Sequence, residues 1–166
     1  MRREGTKPQA GGNSWSSLAF LLSQVGIFSS RRFHQAIGEI DLHPGWFLVL
    51  NVVDATEGSS QQEIAEATEV PPSRMVAIVD ELEQRGLVER RPHPGDRRIR
   101  ALYLTANGRR VLGKGRQIAR EHDRRMANGM SAEEHRRLVE LLQKLSQNQG
   151  LGSGVHPGLS EPEAGR

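Results

Sequence analysis

The chain has 166 residues, enough for one domain or for one domain with an added dimerisation layer. It has no cysteine, which excludes a disulfide scaffold, a cysteine-based zinc site and a thiol redox switch. Positive charges exceed negative ones by only three, but 20 of the 23 cations are arginine and five lie between Arg90 and Arg100. Arginine forms planar, bidentate contacts with phosphates and base edges, so this segment is compatible with a nucleic-acid partner. A solvated loop without a partner is the alternative.

The two ends of the sequence differ from its middle. Residues 1–13 are polar and glycine-rich, and residues 147–166 are dominated by glycine, proline and serine without periodicity, so we expect a disordered arm and a disordered tail. No apolar stretch is long enough to span a bilayer, and the first residues lack the pattern of a secretory signal. We therefore expect a soluble cytoplasmic protein.

The first half of the chain predicts helices. Residues from Ser14 to Glu39 carry leucine, valine and phenylalanine at a three-four spacing, which is typical of an amphipathic helix. Pro44 suits the first position of a second helix. Ser60 and Glu63 form a capping-box pattern that predicts a short helix starting at Gln61 and ending at Ala67.

The centre of the chain predicts a helix-turn-helix and a hairpin. Pro72 begins a helix that we expect to run to Arg85, and a tight turn separates it from the short helix before it. Residues 87–91 and 99–104 are strand-like on either side of a proline-glycine turn, which predicts a β-hairpin with arginines at its tip and flanks.

Two more helices follow the hairpin. Thr105 caps one that runs to about Asn128, and Gly113 and Gly115 predict an interrupted middle. Ser131 opens the last helix with a second capping box. The predicted fold is mainly α-helical with a small β-hairpin wing.

Three motifs follow one another in the centre of the sequence. They are Arg-Gly-Leu-Val at 85–88, Asp-Arg-Arg at 96–98 and Leu-Thr-Ala-Asn-Gly at 104–108. The first is generic among winged helices, but the combination is specific. With these motifs and this order of helices, residues 14–146 resemble the MarR family of bacterial transcription regulators. The resemblance implies a winged helix-turn-helix over residues 41–105 and dimerisation helices over 14–40 and 106–146.

The second helix of such a unit enters the major groove with its N-terminal residues near the bases. These residues are Pro72, Ser73, Arg74, Val76 and Ala77. Arg74 can contact guanine through two hydrogen bonds, and Val76 or Ala77 can touch a thymine methyl. Many relatives have polar or basic residues at these last two positions, so DNA shape is expected to add to specificity. Partial burial is the alternative for Val76.

The hairpin supplies the other candidate DNA contacts, which are Arg90, Arg91, Asp96, Arg97, Arg98 and Arg100. The resemblance implies that Asp96 orients Arg98 for insertion into the minor groove, while the remaining tip arginines face phosphates. The alternative for this pair is a plain surface ion pair. The two arginines of the first strand either contact phosphates or only add solubility.

The apolar stripes of the first and last helices lie outside the DNA-binding unit, and the resemblance implies that they form a homodimer. The predicted interface residues are Leu18, Leu21, Leu22, Leu138, Leu141, Leu142 and Leu145. A two-fold dimer places two recognition helices on half-sites about one helical turn apart, which predicts a pseudo-palindromic operator. The alternative is that these faces complete the monomer's own core.

The family often binds small aromatic or phenolic anions between the dimerisation helices and the DNA-binding lobe. The candidate lining residues here are Phe28, Phe33, His34, Trp46 and Phe47, with Arg31 or Arg32 able to meet the anion. Aromatic residues at helical spacing more often form plain core than a ligand pocket, which is the alternative. The six histidines show no metal-ligand spacing, so we expect no metal site.

Other classes of function fit the sequence less well. It contains no glycine-rich phosphate loop, nucleophile elbow or His-Glu-x-x-His pattern, so we expect neither an enzyme nor a cofactor. We expect a repressor that leaves its operator when a ligand binds. The alternatives are an activator, a ligand-independent DNA-binding protein, and a winged helix that docks a protein. The arginine-rich wing argues against the last of these.

Overall fold

The computed structural model describes residues 14–93, 95 and 98–152. A short 3₁₀ turn, Ser14–Ser16, precedes six helices and one hairpin in this part of the chain. The elements are α1 (Leu18–Gly38), α2 (Pro44–Ala55), α3 (Gln61–Thr68), α4 (Pro72–Gln84), β1 (Val88–Pro92), β2 (Arg100–Leu104), α5 (Ala106–Met126) and α6 (Ala132–Asn148). The prediction of a mainly helical fold with a β-hairpin wing is confirmed. The predicted disordered arm, most of the predicted tail, Asp96 and Arg97 lie outside the described residues.

The predicted capping signals start the helices as expected. The Ser60 hydroxyl accepts a hydrogen bond from the Glu63 N–H at 3.2 Å, and the Glu63 carboxylate accepts one from the Ser60 N–H at 2.7 Å. Ser131 and Glu134 form the same reciprocal pair at the start of α6, with distances of 3.2 and 2.8 Å. Each box satisfies two backbone groups that a helix end otherwise leaves without partners.

Apart from shifts of one or two residues at other helix ends, three features of the helices differ from the predictions. The first helix begins at Leu18 instead of Ser14, because the Ser17 side chain caps it by accepting a hydrogen bond from the N–H of Phe20. The last helix continues to Asn148, so the first residues of the predicted tail are helical. The predicted interruption of the helix after the wing is wrong, since α5 is continuous through both of its central glycines.

Gly115 shows why a glycine is tolerated in the middle of α5. A Cβ atom built on it would lie 2.8 Å from ring carbons of Phe47 on α2. The glycine is buried and lets the two helices approach closely, which offsets its low helix propensity.

The hydrophobic core is formed by α2, α3, α4 and the wing, with one fully buried residue each from α1 and α5. Its fully buried side chains are Ile37, Val49, Leu50, Val53, Ile64, Met75, Val79, Leu82, Val88, Leu102, Leu104 and Leu112. Each such burial stabilises the fold by about 1.5–3 kcal/mol before entropy is counted. Helix α1 contributes only Ile37 to this core, and α6 buries none of its residues. The two terminal helices therefore add little to the interior of a single chain.

The wing is a two-stranded antiparallel sheet in which Val88 pairs with Leu104 and Pro92 with Arg100. The segment before α3 lies along its inner edge. There the Gly58 N–H donates to the Leu102 carbonyl at 3.1 Å, and the Leu102 N–H donates to the Ser59 carbonyl at 2.9 Å. These bonds attach the hairpin to the start of the helix-turn-helix. Within the described residues, no helix has both the length and the apolar character needed to cross a membrane.

Candidate nucleic-acid interface

Helix α4 has one buried face and one exposed face. The buried face is formed by Met75, Val79 and Leu82. On the opposite side Pro72, Ser73 and Ala77 are exposed, and the Val76 side chain is 44% exposed. Arg74 is half-buried at the edge of this surface. The structure therefore places the predicted base-contacting residues together, and Val76 is accessible on this surface but partly covered.

The turn between α3 and α4 fixes how α4 projects. Glu69 adopts a left-handed conformation with φ of 53°, which is uncommon for a residue other than glycine. The next residue, Val70, is buried, and its N–H donates to the carbonyl of Ala65 at 3.2 Å. The chain thus reverses in three residues, and α4 packs across α3 in the geometry of a helix-turn-helix.

The wing carries exposed arginines beside α4. Arg98 and Arg100 are exposed at the outer end of the hairpin. Arg91 is paired with Glu89, and its guanidinium lies 4.7 Å from the centroid of the Tyr103 ring. The orientation of Arg98 by Asp96 stays a prediction, because Asp96 is not among the described residues.

Arg90 of the wing forms ion pairs with α4, which the sequence did not predict. Its side chain is 21% exposed and is hydrogen-bonded to Asp80 and Glu83 of α4, and to Gln61 of α3 at 3.1 Å. The structure directs it toward the helix-turn-helix rather than toward solvent. The ion pairs to Asp80 and Glu83 argue against a purely solubilising charge, and a phosphate contact of Arg90 stays a prediction.

A second arginine holds the other end of α4. The Arg85 guanidinium lies 4.4 Å from the ring centroid of Trp46 on α2, and its Nη1 is 2.5 Å from a carboxylate oxygen of Asp41. Hydrogen bonds to Glu81 and Asp41 raise the pKa of Arg85 above its ordinary value. Stacking and ion pairing together fix the C-terminal end of α4 against the corner between α1 and α2.

Most of the predicted ligand-binding residues are not gathered around one cavity. The rings of Phe33 and Phe47 are 5.9 Å apart and pack against the core, while Trp46 covers Arg85. His34 meets the ring of His43 edge-on at 5.2 Å. These contacts favour the plain-core interpretation for Phe33, Trp46 and Phe47, whereas His34 is exposed.

An open groove of about 610 Å³ lies instead between α1 and α5. Its lining includes Phe28, Arg32, Gln35, Ile118, His122 and Arg125. Of the predicted residues Phe28 and Arg32 lie in it, while Arg31 lines a shallower depression next to it. A hydrogen-bond contact of 2.9 Å between Ser29 and His122 joins the two walls. The α5 residues were missed because nothing local in the sequence shows which face of α5 meets α1.

The predicted dimerisation faces are uncovered in the single chain. Leu18 is 63% exposed, Leu21 45% and Leu141 49%, and Leu22, Leu138 and Leu142 are exposed as well. Leu145 is half-buried. The alternative that these faces complete the monomer's own core is therefore wrong.

Comparisons with known proteins agree with this architecture. Residues 40–99 match the model of the MarR family. A putative transcriptional regulatory protein for the hcr operon of Thauera aromatica is 31% identical over 135 residues, which cover 81% of each chain. The structure resembles the transcriptional repressor CouR bound to a 23-mer DNA duplex, with a TM-score of 0.73 and 28% identity over 84% of this chain and 99% of that one. It also resembles CouR from Rhodococcus jostii RHA1 bound to p-coumaroyl-CoA, with a TM-score of 0.69 and 28% identity over 82% and 96% of the two chains. The chain belongs to the MarR family and is a DNA-binding transcription regulator.

Proposed function

We propose that this regulator is a homodimeric repressor that binds a pseudo-palindromic operator and leaves it when a small organic anion binds. One observation carries the proposal: a single chain exposes the helix face predicted to contact bases, beside an arginine-bearing wing, and leaves two leucine stripes uncovered. The helix face and the wing are suited to binding duplex DNA, and the leucine stripes are suited to packing against a second copy of the chain.

The DNA contacts divide between two grooves. Ser73, Arg74, Val76 and Ala77 at the start of α4 would face base edges in the major groove, with Pro72 at the helix entry. The exposed arginines of the wing, together with Asp96 and Arg97, would form the contacts to the minor groove and to the adjacent phosphates. That CouR was solved on a DNA duplex supports this mode of binding.

The dimer would form through α1 and α6. Their exposed leucines are spaced three and four residues apart, so each helix presents one continuous apolar stripe. Apolar stripes of this kind on a monomer are unfavourable in water and mark protein interfaces. Joining two chains along them would set the distance between the two copies of α4, and thus the spacing of the half-sites.

The ligand would enter the groove between α1 and α5. The Arg32 guanidinium lies 5.4 Å from the centroid of the Phe28 ring in this groove, which offers a cation beside an aromatic surface. These groups suit a molecule with an aromatic ring and a carboxylate. CouR was solved with p-coumaroyl-CoA, an aromatic thioester, which supports a related ligand class. Occupying the groove would shift α5 against α1 and change the spacing of the two DNA-binding lobes.

Selection of bound sequences from a random duplex library, followed by affinity measurements at two salt concentrations, tests the proposal. We expect the selected sites to show two inverted half-sites, and scrambling one of them should weaken binding. The binding constant should fall by about one log unit or more between 50 and 200 mM salt, because phosphate contacts release counterions. Absence of an enriched site together with a flat salt response would contradict the proposed function.

A further inference from the structure

The proposed DNA-facing side of α4 carries acidic residues. Asp80 follows Val76 by four residues and Ser73 by seven, so all three lie on one face of the helix. Glu83 follows one turn later. The side chains of Asp80 and Glu83 are 50% and 42% exposed. Duplex DNA carries one negative charge per about 1.7 Å of axis, so uncompensated carboxylates here would oppose its approach.

Arg90 reaches these carboxylates from the first strand of the wing. One of its terminal nitrogens donates to Asp80, the other donates to Glu83, and its backbone N–H also donates to Glu83 at 3.3 Å. A third side-chain bond goes to Gln61 on α3. Partial burial lowers the pKa of Arg90, but the hydrogen bonds to Asp80 and Glu83 outweigh this and raise the pKa above its ordinary value. The guanidinium is therefore positively charged at neutral pH.

The third acidic residue of α4 is compensated in a similar way. Glu81 pairs with Nε of Arg85 at 2.8 Å, one turn further along the chain. Each carboxylate of α4 thus has an arginine partner within the protein, and two of the three share Arg90.

We infer that Arg90 is a charge-compensating positioning residue, which neutralises Asp80 and Glu83 so that α4 can approach the phosphate backbone, and which itself does not contact DNA. The inference rests on the proposed binding of duplex DNA through α4. Arg90 differs from the neighbouring Arg91 in its low exposure and in its bonds to α3 and α4. The Arg91 side chain is 54% exposed and pairs with Glu89 on the same strand.

A double-mutant comparison in the full-length chain tests this inference. The four variants are Arg90→Gln, Arg90→Lys, Asp80→Asn with Glu83→Gln, and Arg90→Gln combined with both acid substitutions. Affinity for the selected duplex is measured at about 100 mM salt, where charges this close are only partly screened. Thermal unfolding of each variant reports on the fold.

Charge compensation predicts a specific pattern. Arg90→Gln should bind about tenfold or more weakly, because two carboxylates then face the phosphates unpaired. The acid double substitution should bind at least as tightly as the parent chain. Adding Arg90→Gln to it should change the affinity by less than about threefold, since nothing is left to neutralise. Arg90→Lys should bind nearly as well as the parent, because the positive charge is kept.

Other outcomes overturn the inference. If Arg90→Gln weakens binding equally with and without the acids, Arg90 contacts DNA directly. If Arg90→Lys fails like Arg90→Gln while the melting temperature falls, Arg90 serves only the fold. Arg91→Gln is the matched control, and the acid substitutions should not restore any affinity that it loses. If the parent chain binds no duplex at all, both the proposed function and this inference are wrong. The other contradicting outcomes concern only Arg90 and leave the proposed DNA binding unaffected.

Discussion

Gly108 in the first turn of α5 packs directly on the backbone of Leu87 at the start of the wing. A Cβ atom built on Gly108 would lie 1.9 Å from the Leu87 carbonyl oxygen. The same carbonyl accepts a hydrogen bond from the Thr105 N–H at 3.1 Å, and the Thr105 hydroxyl donates to the Gly86 carbonyl at 2.6 Å. This close approach gives a physical reason for the Leu-Thr-x-x-Gly motif, because only glycine leaves room for the preceding strand.

Gly108→Ala should therefore destabilise the fold by about 2 kcal/mol or more, since the methyl group meets backbone that cannot move aside. The measurement is chemical denaturation followed by circular dichroism. The control is Gly113→Ala, five residues further along α5, where a Cβ would meet nothing within 4 Å. This change should stabilise the protein by about 1 kcal/mol through helix propensity. Equal effects of the two substitutions would contradict the packing argument.

The capping box of α3 should make stability depend on pH. Hydrogen bonds from the backbone and side chain of Ser60 lower the pKa of Glu63 below its ordinary value. A lowered pKa in the folded state means that Glu63 stabilises the fold fully above the ordinary glutamate pKa of about 4.3, and that this contribution is lost as the pH falls through the lowered value. Glu63→Gln should lower the melting temperature at pH 7, and the difference from the parent should narrow toward pH 3.

The control for this titration is Glu66→Gln on the same helix. The Glu66 carboxylate contacts the side chain of Gln62 and not the helix start, so its neutralisation should have little effect at either pH. A difference between parent and Glu63→Gln that stays constant from pH 7 to pH 3 would argue against the role of the charge.

The wing tip should contribute to operator affinity and not to dimer formation. Arg98 is exposed at the end of the hairpin, far along the chain from the leucine stripes. Arg98→Ala should weaken operator binding about tenfold and make the salt dependence shallower by about one unit in slope, while sedimentation still shows the dimer. Arg136→Ala on α6 removes one arginine elsewhere and should leave affinity unchanged. Parent-like binding by Arg98→Ala would exclude the proposed minor-groove contact.

The leucine stripe of α6 should hold the dimer together. Leu141 is 49% exposed in the single chain, so Leu141→Glu places a charge in the proposed interface without disturbing the monomer's core. We expect sedimentation to show monomers and operator affinity to fall about tenfold or more, because the two half-sites are then bound independently. Gln143→Glu, which adds the same charge on the opposite side of α6, should remain dimeric. A dimeric Leu141→Glu protein would place the interface elsewhere.

The groove between α1 and α5 should mediate ligand release. Arg32 is the α1 cation beside its aromatic wall, so Arg32→Gln should reduce the sensitivity of the operator complex to hydroxylated aromatic carboxylates about tenfold. The measurement is fluorescence anisotropy of labelled operator during titration with such compounds. Arg137→Gln on α6 is the control and should respond like the parent. If both respond equally, the ligand binds outside this groove.

Local signals in the sequence determined the secondary-structure elements of this protein. The capping boxes at Ser60 and Ser131 were predictable because the bonded groups are three residues apart, and helix periodicity and the hairpin likewise depend on neighbours in the chain. The order of the three central motifs identified the family, since each motif has its own local geometry. The continuity of α5 was not predictable, because it depends on the packing of Gly115 against Phe47 on another helix.

Only the tertiary structure showed which side chains of different secondary-structure elements contact one another. Arg90 and Gln61 are 29 residues apart, and Ser29 and His122 are 93 residues apart. Whether an arginine of the wing faces DNA or the recognition helix depends on the register and angle at which elements pack, and no local spacing encodes that. The proposed base-contacting face of α4 followed from helical periodicity, but the ion pairs of its acidic residues and the position of the groove required the packed molecule.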